Sequence, residues 1–513
     1  MLYPEKFTDK KIPSRTTIFN FCFLALILFS ILVRFDNLSD PLIGFRQTQT
    51  AITVQTYIDE GPSILKYKTP VLGKPWTLPF EFPTYQISAY TAYKILNLLA
   101  HADLNAALRL TNSVYFYGCS VFLFLISRRF FSNTAVSKTA VLIFLLFPFS
   151  VFWSSASSIE FTADFFALGY VYFFTEFLDI ARFKENYKIF FAALFFGVLG
   201  YLTKITTMFP YCVFLGFIIV SCFIKDKFQA PRYLKILVLT AVPLLIGIAW
   251  IKWTDYVKII SGFASLSSQN LQQWNFGTLS QKFSYENWMF IYENIKNMGI
   301  PLTAFLAVLL FIPLFWERKK EFLCALIPVF CCLATVLTFF NLYHVHDYYY
   351  CSLLPFLCMF GGYILYNIIS YIQSFFSAKV FKNFIAIFCP LVMLSVFWYN
   401  DPYIKKAFRN ETWFKQYKGS LLELTDYIKL NSSKEDLIMV FDNDWNSEIP
   451  YNTQRKSLMV CWITEDSYLS AANDYELFIM NKNSQYNNER LEKLTDIIFE
   501  VSIGDWNVYR RKK

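Results

Sequence analysis

The sequence predicts a mostly α-helical, polytopic membrane protein that carries a small α/β domain outside the membrane at its C-terminal end. Three observations predict it. Hydrophobic residues make up 55% of the 513 positions, aromatic ones 20% and charged ones only 17%, far from the balance of a soluble domain. Apolar stretches of the length a helix needs to cross the hydrocarbon core recur along residues 1–399. From about Asn400 the pattern changes to mixed charge with short buried-type runs.

The apolar stretches fall at roughly 18–35, 109–127, 138–155, 161–179, 188–203, 207–224, 234–252, 300–316, 321–341, 350–369 and 383–399, which gives about eleven transmembrane helices. The first has Lys and Arg before its apolar core, as a signal peptide does. It runs long, however, and ends in Val33-Arg34-Phe35-Asp36 with no small-residue cleavage pattern, so it is expected to stay as an anchor. Lys6, Lys10, Lys11, Arg15, Arg128, Arg129, Arg182, Lys184, Lys225, Lys227, Arg318, Lys319, Lys320, Lys379 and Lys382 collect in alternate connections, whereas the opposite short connections carry only Lys204. The positive-inside rule puts the N-terminus in the cytoplasm, and an odd number of crossings puts the C-terminal domain outside. The net charge of +9 reflects this asymmetry and a basic C-terminus, and gives no argument for nucleic acid.

Three large segments emerge on the outer side: 36–108, 253–299 and 400–513. In the first, Arg46 to Ile58 reads as an amphipathic helix, with Ala51, Val54 and Ile58 on one face and Arg46, Gln49, Thr50 and Thr53 on the other. Such a helix is expected to lie along the interface with its polar face toward a groove. In the 400–513 domain, Leu421, Leu424 and Ile428 form a helix stripe, and Leu437 to Phe441 and Tyr475 to Met480 read as strands. Asn488 to Ile498 reads as a further helix and Trp506 to Tyr509 as a final strand. Of the eleven cysteines, all but Cys461 lie in apolar segments, where Cys behaves as a small hydrophobe, and no disulfide framework or CxxC pair is implied.

Under this topology Arg46, Glu81, Glu160, Asp164, Lys204, His346 and Asp347 meet at one membrane face. Ionisable residues in or beside spans are expensive and tend to mark functional sites, so their convergence predicts a polar cavity at the outer boundary. Several stretches around them carry a resemblance: Arg46-Gln47-Thr48-Gln49-Thr50-Ala51, Pro79-Phe80-Glu81-Phe82-Pro83-Thr84-Tyr85-Gln86, Gly200-Tyr201-Leu202-Thr203-Lys204 and His344-Val345-His346-Asp347-Tyr348-Tyr349. In their order the chain resembles the bacterial family-39-like membrane glycosyltransferases, relatives of protein O-mannosyltransferases and of the aminoarabinose transferase that modifies lipid A, with the fold called GT-C. The likeness extends over the order of spans, the long first loop and the outward C-terminal domain.

The resemblance implies transfer of a sugar from a polyprenyl-phosphate donor to an acceptor outside the membrane, with inversion at the anomeric carbon. An attacking hydroxyl must lose its proton to a base, and a leaving lipid phosphate needs cationic or hydrogen-bonding partners. Members of that family usually carry an acidic residue, often Asp-Glu, early in the first outer loop, where this chain has Arg46-Gln47. Glu81, between Phe80 and Phe82 and flanked by prolines, is the preferred substitute, with a pKa expected to rise by burial. Glu160 is the alternative, and Asp36, Asp40 and Asp59 stay open. Glu160 and Asp164 lie one helical turn apart on one face.

Each residue also has a plainer reading. Glu81 would cap a turn or pair with Arg46, Glu160 would favour a helix dipole, Lys204 would snorkel to the interface, and the tyrosines would belong to an aromatic belt. In the functional reading Arg46, Gln47, Gln49 and Lys204 hold the lipid phosphate, and His346, Asp347, Tyr348 and Tyr349 complete the pocket. His344 and His346 beside Asp347 invite a divalent metal, but the other ligands of a closed site are missing, so no metal or cofactor is assigned. Asp442-Asn443-Asp444 after a strand reads as a turn. The expected partners are the lipid-phosphate sugar, membrane lipids and a glycan, lipid or protein acceptor, and the expected location is the bacterial plasma membrane. Two other readings share the cavity: a transporter or flippase of lipid-linked sugars, and a glycan polymerase or ligase. A transporter would show paired halves and midplane charges, which this sequence lacks.

Overall fold

A computed structural model describes residues 16–35, 38–178, 187–225, 230–298, 319–376, 398, 402–407, 412–464, 467–484 and 487–512. The long helices are α1 (Thr16–Arg34), α4 (Leu104–Phe131), α5 (Thr134–Leu146), α7 (Glu160–Leu178), α8 (Tyr187–Thr203), α9 (Ile205–Lys225) and α10 (Ala230–Ile260), then α14 (Lys319–Thr338) and α16 (Leu354–Ser374). In the first connection lie α2 (Phe45–Glu60) and α3 (Thr84–Ala100). Side-chain caps set two starts. Asp103 accepts the N–H of Asn105 before α4, and Asn133 accepts those of Ala135 and Val136 before α5.

Among the described residues five helices are long and apolar enough to cross a membrane, or six if one bent pair counts as a span, and the chain is an integral membrane protein. The expectation of eleven spans is therefore not confirmed among the described residues. Those at 300–316 and 383–399 lie outside the described residues, apart from the single position 398. α1 and α8 are shorter apolar helices, and α7 carries Glu160, Asp164 and Glu176. The span expected at 138–155 is broken: α5 ends at Leu146 and the chain turns by 61° into α6 (Pro148–Ser154). Pro148 has no N–H for the Phe144 carbonyl. The Ser150 hydroxyl takes that carbonyl at 2.5 Å, and Arg34 takes the Leu145 carbonyl at 2.9 Å while its guanidinium lies 4.4 Å from the Phe116 ring centroid. α10 continues to Ile260, eight residues past the expected end at 252, which shortens the following connection.

Close contacts hold the bundle. Gly362 of α16 faces the backbone of Ala140 in α5, where an added Cβ would meet the Ala140 nitrogen at 2.7 Å. Tyr170 of α7 donates to the Leu239 carbonyl of α10 at 2.8 Å. Between α10 and α14, the short helices α11 (Gln272–Phe276), α12 (Leu279–Phe283) and α13 (Tyr285–Asn297) pack on α15 (Phe340–Val345) at the end of α14.

Near the C-terminus, α17 (Pro402–Ala407) and α18 (Thr412–Asn431) precede a five-stranded sheet of order β2-β1-β3-β5-β4. β1 (Ile438–Phe441) pairs in parallel with β2 (Ser457–Val460) and β3 (Leu477–Asn481), and β5 (Trp506–Arg511) runs antiparallel between β3 and β4 (Ile497–Ile503). Strand alternation sends Ile438 and Val440 toward Leu421, Leu424 and Ile428 of α18, and Met439 and Phe441 toward Tyr468 and Phe478 on the other face. The expected helix at 488–498 is corrected: α21 (Asn487–Glu492) is shorter, and Ile497 and Ile498 begin β4. β2 and α19 (Glu448–Thr453) had no expectation. α20 (Ser467–Ala471) lies between β2 and β3.

The α2 expectation is corrected in its surroundings. Both faces are buried, with Thr48, Gln49, Thr50 and Thr53 enclosed as fully as Ala51 and Val54. α2 is held between α3 and α19 of the C-terminal region, so protein covers the face expected to be open. The loop after α2 also joins the sheet. The N–H of Ser457 donates to Pro70, that of Met459 to Val71, and that of Gly73 to Ser457, so this loop covers the free edge of β2.

Candidate functional site

The ends of α1, α6, α8, α10 and α14 and the starts of α4, α7, α9 and α16 come to the same end of the bundle as α2. At this end four charged side chains from four segments form one alternating network. Arg46, in the first turn of α2, donates from Nη2 to Glu81 Oε1 at 2.7 Å, from Nε to Glu160 Oε1 at 3.3 Å and from Nη1 to Gln49 Oε1 at 3.1 Å. Glu160, the first residue of α7, also pairs through Oε2 with Lys204, which sits between α8 and α9.

The Glu81 segment is fixed through its backbone. The Tyr67 hydroxyl donates to the Glu81 carbonyl at 2.9 Å and accepts the Phe80 N–H at 2.6 Å. Trp250 of α10 donates to the Phe80 carbonyl at 3.1 Å, and the Phe82 N–H donates to Leu202 at 3.0 Å, two residues before Lys204. The two carboxylates differ in access: the Glu81 side chain is 25% exposed and that of Glu160 is 2% exposed.

Tyr348 and Tyr349 face the cations. Lys204 Nζ lies 4.1 Å from the Tyr349 ring centroid and 5.1 Å from that of Tyr348, and the Arg46 guanidinium lies 5.4 Å from the Tyr348 centroid. His346 stacks on Tyr348 at 5.0 Å and meets the edge of Trp274. Asp347 accepts a hydrogen bond from Tyr403 at 2.8 Å.

Burial and charge set the protonation of these groups. Burial pushes Glu81 up, but Arg46 and Lys204 outweigh it and hold the carboxyl below its usual range. The expectation of a raised pKa for Glu81 is thus overturned by its cations. Burial likewise opposes the Arg46 charge, and Glu81 and Glu160 more than restore it. His346 is pulled down to about 4 by burial and by Arg46 and Lys204, which keeps it neutral at pH 7.

Other expected site residues have different surroundings. Gln47 donates to the Ile43 carbonyl at 2.8 Å and accepts the Ser157 N–H at 3.3 Å, so both ends of its amide tie α2 to neighbouring backbone. Asp164 lies one turn deeper in α7, fully buried, and accepts from the Tyr211 hydroxyl at 2.9 Å. His344 packs edge-on against Phe290, away from the stack that holds His346. Among the described residues no group of three or more His, Cys, Asp or Glu side chains is placed to hold a metal ion. In the C-terminal region Asp442 and Asp444 accept the backbone N–H groups of Asn443 and Trp445, as the turn reading expects.

Sequence reasoning missed Lys258. It lies in the last turn of α10, buried, with Nζ 4.8 Å from the Phe80 ring centroid, and no described carboxylate is within ion-pair distance. Asp255, one turn before it, accepts from the Ser268 N–H and hydroxyl. The signal available was a Lys beside the end of an apolar run, the same signal that singled out Lys204. Setting the span end at residue 252 hid it in a loop.

Comparison with protein-family models and with curated proteins returns no match. Comparison of structures does. ArnT from Cupriavidus metallidurans bound to undecaprenyl phosphate superposes with a TM-score of 0.65 at 12% identity, covering 97% of this chain and 98% of that one. Its apo state gives 0.59 at 13% identity over the same shares of both chains. The archaeal oligosaccharyltransferase AglB from Archaeoglobus fulgidus, in complex with an inhibitory peptide and a dolichol-phosphate, gives 0.52 at 10% identity and covers 97% of this chain and 75% of its own. With 97% of this chain superposed at TM-scores of 0.65 and 0.52, the chain has the GT-C fold.

Proposed function

We propose that this protein is a membrane glycosyltransferase that moves a sugar from a polyprenyl-phosphate donor to an acceptor hydroxyl on the outer side of the membrane, with inversion. The observation that carries this reading is the Glu81–Arg46–Glu160–Lys204 network, with Lys258 beside it. Arg46 and Lys204 are paired with Glu81 and Glu160, whereas Lys258, with Asp255 one turn before it turned to Ser268, has no described carboxylate at ion-pair distance, which supports an anion as its partner. The ArnT structure of the same fold was determined with undecaprenyl phosphate, and AglB with a dolichol-phosphate, which supports a lipid phosphate as that anion.

Glu81 is the acting carboxylate, because it is the more exposed of the two and its segment is fixed on both sides. It takes the acceptor proton as the oxygen bonds to the anomeric carbon, while the bond from that carbon to the phosphate oxygen breaks. The lipid phosphate leaves with the electron pair and is met by Lys258, with Arg46 and Lys204 supplying field from their paired positions. Glu160 holds Arg46 and Lys204 in place. Tyr348, Tyr349 and His346 wall the pocket, Gln49 orients Arg46, and Gln47, Asp164 and Asp347 brace the elements that carry it.

The reading is tested by mass spectrometry of envelope glycans and polyprenyl-phosphate sugars in a deletion strain, with leaflet accessibility measured on the lipid. One glycan should lose a sugar while the corresponding lipid-linked sugar accumulates in the outer leaflet. Accumulation in the inner leaflet alone would mean a flippase, and unchanged glycans and lipids would overturn the assignment.

A further inference from the structure

The Arg46–Glu81 pair joins two separate segments, and a short piece of the C-terminal region touches both. Phe45 directly precedes Arg46, and Phe80 directly precedes Glu81. Trp445, in the loop between β1 and α19, meets Phe45 edge-on with ring centroids 4.7 Å apart and stacks on Phe80 at 5.6 Å with 18° between the planes. Its neighbours hold the first turn of α2. Ser447 Oγ is 3.0 Å from Thr48 Oγ, and the buried Glu448 accepts the Gly44 N–H and the Tyr417 hydroxyl.

Aromatic pairs have preferred offsets, and their packing is stiff because interiors are dense. A ring in contact with the residues just before both partners of a salt bridge therefore sets how far apart those partners stand. We infer that Trp445 is a positioning residue, which fixes the first turn of α2 against the Glu81 segment and so sets the Arg46–Glu81 geometry. The inference rests on the reading of Glu81 as the acting carboxylate. It makes the C-terminal sheet part of the working site, although none of its residues belongs to the charged network.

The test follows the Glu81 carboxyl itself, in the purified full-length protein, by infrared spectroscopy across pH, with Glu81→Gln identifying the band. The charged and titratable groups that face Glu81 are Arg46 from α2, Lys204 from the α8–α9 connection, Lys258 from α10, Tyr67 from the preceding loop, and Tyr348 and Tyr349. Arg46 is the foremost of the cations that lower its pKa, so moving Arg46 away must raise it.

Trp445→Ala should shift the Glu81 titration to higher pH, in the same direction as Arg46→Ala, and the double variant should shift little further. Transfer should fall by about tenfold to a hundredfold in kcat, as a misplacement near 1 Å does, with a smaller change in KM. Trp445→Phe should recover part of both effects. A lower melting temperature with the Glu81 titration unmoved in Trp445→Ala would overturn the inference, leaving Trp445 as core filling. Should Trp445→Ala fail to fold, Trp445→Phe and Phe80→Leu replace it, and an unmoved titration in both would overturn the inference equally. A moved titration in a protein that transfers no sugar would remove the proposed function and leave the positioning role standing.

Discussion

Glu81 is ionised at neutral pH because Arg46 and Lys204 overcome its burial, and its base form is lost only as pH falls through that lowered pKa. Glu81→Gln should therefore reduce transfer by about a hundredfold to ten thousandfold while donor binding stays near normal, as single-turnover rates and a lipid-binding assay would show. Arg46→Ala should move the acid limb of the pH–rate profile upward. The profile of a base that keeps its limb in Arg46→Ala would place the proton acceptor elsewhere. Lys258 and Lys204 should behave differently from one another. Lys258 has no described ion-pair partner, so Lys258→Ala should weaken polyprenyl-phosphate binding about tenfold to a hundredfold, the worth of one charge-assisted hydrogen bond. Lys204→Ala removes one of the two cations paired with the 2% exposed Glu160, and breaking such a buried pair costs roughly 3–5 kcal/mol. It should show first as a lowered melting temperature. Equal effects of the two substitutions on binding and stability would contradict the division of labour.

At the scale of elements, the packing of α5 on α16 depends on Gly362, whose missing Cβ lets the helix reach the Ala140 backbone. Gly362→Val should force the pair apart and destabilise the protein by about 1–3 kcal/mol, read as a drop in melting temperature with the Glu81 titration unmoved. Period and length made the long apolar helices legible, and the stripe Leu421, Leu424, Ile428 marks α18 in the sequence. What stayed hidden had physical reasons. The break at Pro148 needs Ser150 and Arg34 to satisfy carbonyls, and Arg34 comes from a distant helix. The residues Ile497–Ile503 alternate weakly because β4 is an edge strand, so a helix reading ran into it. α2 shows an apolar and a polar face, yet both are covered, because Thr53 meets Thr69 of the following loop and Thr48 meets Ser447, 399 residues further on. In the site the residue types were readable, and the plainer reading of Glu81 already paired it with Arg46. The bridging of Arg46 and Lys204 by Glu160 was not readable, because those three residues come from separate segments.

For the whole molecule, the sequence predicts that the charged cluster and the sheet lie outside, and the structure brings both to one end of the bundle. Single cysteines at the exposed positions Tyr285 and Asn431, in a cysteine-free background, should react with an impermeant reagent added outside intact cells. Cysteines at Lys188 and Lys320, exposed at the opposite end, should react only after permeabilisation. The reverse pattern would turn the proposed chemistry to the inner face. The seam between the first loop and β2 has its own consequence for biosynthesis. Ser457 meets Pro70 across 387 residues of chain, so the loop is made long before the strand that it covers. At ordinary translation rates the interval is roughly 20 to 80 seconds. Through that time the loop waits without its partner, and a strand made late closes a site begun early.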